Sequence, residues 1–181
     1  MESARRKGIS SKRKTAAPRR TKRSLKVVVG GRPSGVVETY VERIRRAAPS
    51  DLMDMEREGV PGALIKDLGR GFHFTQQRFY EILGAPKATV ERKTLSSKPV
   101  AGTVGQATLG VVRLLALAEG IVARSTAPEA KGFDTQRWLG EWLETPQPAL
   151  GGRRPSEMLD TPTGIAIVEK TLGAIESGSY L

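Results

Sequence analysis

Between Thr103 and Val122 the chain carries Leu109, Val111, Val112, Leu114, Leu115, Leu117, Ala118, Ile121 and Val122, which leave almost no helical face polar. A helix that is apolar all round has to be enclosed, whether by other helices, by a second copy of the chain or by a bilayer. A membrane span needs about 20 apolar residues with few or no charges, and Gln106, Arg113 and Glu119 interrupt this run. The run therefore predicts a buried core helix, which the rest of the chain or a second protomer must wrap, and it is a candidate dimer seam.

The segments available for wrapping also read as helices. From Ser34 to Ala48, Val36, Val37, Tyr40, Val41 and Ile44 line one face, and Glu38, Glu42, Arg43, Arg45 and Arg46 line the other. Pro49-Ser50-Asp51 opens a short helix through Leu52, Met53 and Met55, closed by Gly59, with the methionines as core filler. Pro61 opens another through Leu64, Ile65 and Leu68, ended by Gly69 and Gly71. Thr75 is a good N-cap for a helix to Leu83 with Phe79, Ile82 and Leu83 inward, and Gly84-Ala85-Pro86 turns into a basic helix over residues 87–94. Residues 96–105 read as a linker. Residues 125–132 read as a loop, after which Asp134 caps a helix with Trp138, Leu139 and Trp142 or Leu143 inward. Val27-Val28-Val29 could form a short strand, stopped at once by Gly30-Gly31-Arg32-Pro33.

A short helix, a glycine turn and a short basic helix make the helix-turn-helix arrangement, whose second helix enters the major groove. Thr89, Arg92 and Lys93 are then the side chains able to reach phosphates or base edges. Tyr80 stands where such units use a small residue and Lys93 where they use an apolar one, so a helix pair kept for dimerisation is the competing reading.

Charge is distributed unevenly. Residues 1–26 hold eleven of the 30 Lys and Arg, Arg19, Arg20, Lys22 and Arg23 among them, and one of the 19 acids, so most of the net charge of +11 belongs to this arm. Its Ser, Thr, Ala and Pro offer little apolar surface to bury, which predicts a disordered arm able to grip phosphates without reading sequence. A passive extension is the plainer alternative. Cys is absent and His73 is the sole histidine, so no disulfide framework, thiolate or histidine-built metal centre is available, and no cofactor is implied. Gly30-Gly31 with Gly35 lacks the Lys-Ser/Thr of a phosphate loop, and the acids of 51–58 read as a solvated helix face. The expectation is a protein that is not an enzyme, carries no signal peptide, and works in a reducing cytoplasm.

The last forty residues carry the most specific pattern, a tight turn punctuated by Pro and Gly that feeds one short helix and then one long amphipathic helix. Thr161 caps a helix with Pro162 at its first position; Ile165, Val168, Leu172 and Ile175 form its stripe; and Gly178 ends it before Ser179, Tyr180 and Leu181. Trp142-Leu143, Pro146, Leu150-Gly151-Gly152, Pro155, Met158-Leu159, Thr161, Gly164 and Ile175-x-x-Gly178 follow in an order that resembles the C-terminal toxin-binding domain of Xre/MbcA/ParS antitoxins, the partners of RES-domain toxins. In the middle of the chain, Leu83-Gly84 and Thr89-x-x-Arg92 stand where the Xre-like helix-turn-helix domain of that family has them.

The resemblance implies an all-α protein with an Xre-like helix-turn-helix and dimerisation domain (60–132) and a helical toxin-binding domain (133–181); it does not cover the first sixty residues, which composition and periodicity divide into a disordered basic arm (1–26) and an N-terminal strand and helical segment (27–59). It implies a type II antitoxin, homodimeric within a toxin–antitoxin hetero-oligomer, that blocks the active site of a RES-domain, NAD-consuming toxin with its C-terminal end and represses its own operator DNA. No membrane and no small-molecule substrate of its own are expected. The toxin-binding residues are then Trp142, Leu150, Arg153, Arg154, Ile175, Gly178, Ser179, Tyr180 and Leu181. A stand-alone regulator or architectural DNA-binding protein using the same basic arm is the alternative. An RNA-binding protein is disfavoured because aromatic residues are only 5%, too few for stacking platforms.

Overall fold

The computed structural model describes residues 35–176, and over them the chain is all-helical. The arm of 1–26, the expected strand at Val27-Val28-Val29 and the tail from Gly178 to Leu181 lie outside the described residues. Eight α-helices follow in order: α1 Val36–Arg46, α2 Pro49–Glu58, α3 Gly62–Gly71, α4 Gln76–Ile82, α5 Lys87–Leu95, α6 Thr103–Arg124, α7 Thr135–Leu143 and α8 Pro162–Glu176.

The apolar run is the axis of the fold. α6 is long and apolar enough to cross a bilayer, yet α1, α2, α7 and α8 pack against it, and eleven of its 22 residues, from Val104 to Ala118, are buried. The chain's own helices thus wrap α6 as far as Ala118, and Ile121 and Val122 beyond it stay half-buried. α8 lies parallel to α6, because Gly110 meets Ile165 and, one turn on, Arg113 Nε donates to Glu169 Oε1 at 2.7 Å. The expected stripe faces inward, with Ile165, Val168 and Leu172 buried and Ile175 half-buried. At the opposite edge Arg45 of α1 reaches Glu119 of α6 at 2.6 Å; burial nonetheless holds the Glu119 carboxyl above its ordinary range, the guanidinium opposing it.

The structure departs from the sequence reading at four points, each for a reason of packing. The linker over 96–105 is pinned: Val100 is buried and forms an antiparallel bridge with Val60 (2.9 and 2.7 Å), and α6 starts within the linker, at Thr103. Gly69 does not end α3 but lies inside it, buried, where a Cβ would come within 3.1 Å of the Phe79 ring. Met55 fills the core as expected, whereas Met53 is 52% exposed. The short helix before Pro162 is a 3-10 turn, Pro155–Met158.

Candidate functional site

The C-terminal region is built on α7. Asp134 accepts from the Arg137 amide at 3.0 Å and so caps the helix, which buries Leu139 and Leu143 completely. Gly140 rests on the backbone of Phe72, so α7 crosses the end of α3 at a distance no side chain permits. Trp142 stacks on Trp138 (centroids 6.4 Å apart, planes at 21°) and is only 9% exposed, so it supports the region from within and presents little more than an edge.

Beyond α7 the chain doubles back in a tight hairpin. The Gln147 amide donates to the Arg153 carbonyl at 3.0 Å, the Gly152 amide donates to the Gln147 carbonyl at 3.0 Å, and Gly151 and Gly152 take φ of 65° and 79°, which glycine adopts at no steric cost. Leu150 is half-buried under this turn, while Arg153 and Arg154 project into solvent. Thr161 then caps α8 by accepting from the Gly164 amide at 3.1 Å.

An ion-pair network anchors the hairpin to α4. Both Nε and Nη2 of Arg78 donate to Glu144 Oε1, at 3.1 and 2.8 Å, and Arg154 Nη1 takes the other carboxylate oxygen at 3.3 Å. Sequence reasoning missed Arg78 and Glu144. They stand 66 positions apart, and no local pattern joins them.

The expected toxin-binding set is split by this geometry. Leu150, Arg153 and Arg154 lie by the N-terminal end of α8 and Ile175 at its other end, and 15 residues of helix span about 22 Å. Gly178, Ser179, Tyr180 and Leu181 lie outside the described residues.

The second candidate surface belongs to α3, α4 and α5. Thr75 accepts from the Arg78 amide at 3.2 Å, Phe72, Phe74 and Phe79 cluster with centroids 6.0 to 6.2 Å apart, and Gly84 turns at φ 59°. Tyr80 is 1% exposed, and its phenol is held above the ordinary range by burial and then by the Glu91 carboxylate of α5. α5 buries Val90 and leaves Lys87 and Arg92 exposed, with Thr89 and Lys93 half-exposed. Arg45, Arg46, Arg57, Arg70, Arg78, Arg113, Arg137 and Arg154 all form ion pairs. Arg92 and Arg153 form none among the described residues, and they stand on the two surfaces expected to meet a partner. Arg19, Arg20, Lys22 and Arg23 lie outside the described residues. Among the described residues no cluster of His, Asp and Glu could hold a metal ion.

The fold is thus an all-helical body with the helix, glycine turn and helix of α4 and α5 and a capped C-terminal helical unit of α7 and α8. The sequence model of the antitoxin Xre/MbcA/ParS C-terminal toxin-binding domain matches residues 132–178, from the glycine before α7 to two residues past α8. A protein of Sphingobium sp. (strain YBL2) described as a Prs ADP-ribosylating antitoxin is 34% identical over 135 residues, covering 75% of this chain and 84% of the relative. The chain belongs to the Xre/MbcA/ParS antitoxin family, and it is the antitoxin of a toxin–antitoxin system, with a toxin as its partner.

Proposed function

We propose that this antitoxin neutralises a RES-domain toxin by placing its C-terminal end, Ser179-Tyr180-Leu181 behind Gly178, in the toxin's NAD pocket. The observation that carries this reading is that the apolar stripe of α8 is already used within the fold, through Ile165, Val168 and Leu172, so the helix itself has little apolar surface left to offer a toxin. The name of the Sphingobium relative supports ADP-ribosyl transfer as the toxin's chemistry. Arg153, unpaired and exposed, and Arg154 beside it form a second contact; a single toxin lying along α8 touches both ends. Leu150, Trp142 and Ile175 back these contacts from below. The antitoxin does no chemistry of its own and acts in the bacterial cytoplasm. Co-expression with the toxin encoded beside it tests this reading, with growth as the readout. Restored growth is expected, and absence of rescue would favour a stand-alone DNA-binding regulator.

The same protein, as a homodimer within the toxin–antitoxin assembly, represses its own operon through α5, with the basic arm on the phosphates. The support is the exposed, unpaired Arg92, in a body whose other arginines are mostly tied to acids. Arg92→Ala is expected to lose about 1–3 kcal/mol at the operator and far less on random DNA, as a base contact would. Equal loss on both, measured by fluorescence anisotropy, would reduce Arg92 to a phosphate contact, and no loss on either would leave α4 and α5 as a dimerisation element. Deleting residues 1–26 is expected to flatten the log–log salt dependence of binding by about 0.9 for each phosphate that the arm would have neutralised. An unchanged slope would make the arm a passive extension.

A further inference from the structure

Four chain segments converge at one end of the fold. Gly59, closing α2, lies against Val100 and Ala101; Gly62, opening α3, lies against Thr94 at the end of α5; and Gly105, in the first turn of α6, lies against the Val100 carbonyl. Two of the most exposed large apolar side chains stand there. Leu95 is 88% exposed at the end of α5, and Met53 is 52% exposed on α2, two turns from Gly59. Met53 borders a hollow of about 360 Å³ whose other walls are Glu56, Arg57, Gly102 and Gln106.

Charge divides this end into two halves. Leu95 is flanked by Lys93 and Lys98, neither of which forms an ion pair among the described residues, whereas α2 carries Asp51, Asp54, Glu56 and Glu58, of which Asp54 pairs with Arg57 and Glu56 with Arg113 of α6 at 3.9 Å. An apolar knob between two lysines and a hollow with Met53 at its rim, on a helix with a surplus of acids, complement each other, and both lie at the same end of the molecule. That is the requirement for an isologous two-fold contact, in which one patch meets its own copy. In α6, the other candidate seam, the buried residues run from Val104 to Ala118, while Ile121 and Val122 beyond them stay half-buried beside Phe133.

We propose that this end is the surface on which a second copy of the chain docks, with Leu95 of each copy seated in the hollow beside Met53 of the other and the lysines facing α2. The proposal rests on the homodimer reading above and supplies its interface. α5 ends in Leu95, so the two copies of α5 then flank the two-fold axis, as binding to paired half-sites requires.

Light scattering after size exclusion tests the proposal on the full chain. The wild type is expected to have the mass of two 19.6 kDa chains. Leu95→Glu and Met53→Glu, both at exposed positions, are expected to weaken the dimer by about thirtyfold or more and to elute as monomers with unchanged helical circular dichroism. Phe133→Glu and Ile167→Glu, at positions 40% exposed elsewhere, are expected to remain dimeric. A wild type that is monomeric at every concentration overturns the homodimer itself. A dimeric wild type whose Leu95→Glu and Met53→Glu variants also stay dimeric overturns this surface and leaves the homodimer standing.

Discussion

Gly140→Ala and Gly164→Ala are each expected to lose on the order of 3 kcal/mol, which for a body of this size lowers Tm by about 10 °C. A Cβ at Gly140 would run into the Phe72 carbonyl, and one at Gly164 into the carbonyl of Met158. In both cases the obstacle is backbone, which cannot swing aside as a side chain can, so α7 would have to lift from α3 and α8 from the Pro155–Met158 turn. Gly173→Ala provides the control: it lies within α8, and an added Cβ there meets nothing within 4 Å. That variant should gain about 0.5–1 kcal/mol, because alanine has less freedom to lose on folding than glycine. Thermal melts followed by circular dichroism separate these outcomes. Equal Tm for all three variants would mean that the two crossings are looser than the structure makes them.

The elements were legible wherever the signal was local. Thr75, Asp134 and Thr161 each accept from an amide three residues on, as cap residues do, and Gly84 turns with the positive φ expected of the Gly84-Ala85-Pro86 sequence. The periodicity of α1, α7 and α8 named the faces that became core. What stayed hidden depended on contacts between distant residues. Residues 96–105 have a linker's composition, yet Val100 is held by Val60 forty positions earlier. Met53 and Met55 are the same residue type on one helix, and only the packing of α2 decides which is inside.

The candidate site shows the same division. The glycines and prolines of the 146–155 hairpin announced the turn that presents Arg153 and Arg154, but Glu144 shared between Arg78 and Arg154 could not be read from spacing. Nor could the separation of the Leu150 end of α8 from its Ile175 end, which follows from the direction in which α8 runs along α6.

Removing Ser179, Tyr180 and Leu181 is expected to abolish neutralisation while leaving the fold intact. The stripe of α8 keeps its partners without them, so helical content, dimerisation and operator binding should stay within error of the full chain. A buried aromatic at the centre of an interface commonly contributes about 2 kcal/mol or more, and under the proposed mechanism its loss would also reopen the pocket to NAD. Arg153 and Arg154 remain, so the truncated chain should still associate with the toxin, only more weakly. The most direct measurement is NAD consumption by purified toxin saturated with either form of the antitoxin. The full chain should silence the toxin, and the truncated chain, at concentrations where it is bound, should leave it turning over NAD. Equal inhibition by both forms would contradict the pocket-blocking mechanism and move the inhibitory contact to the hairpin of Leu150, Arg153 and Arg154.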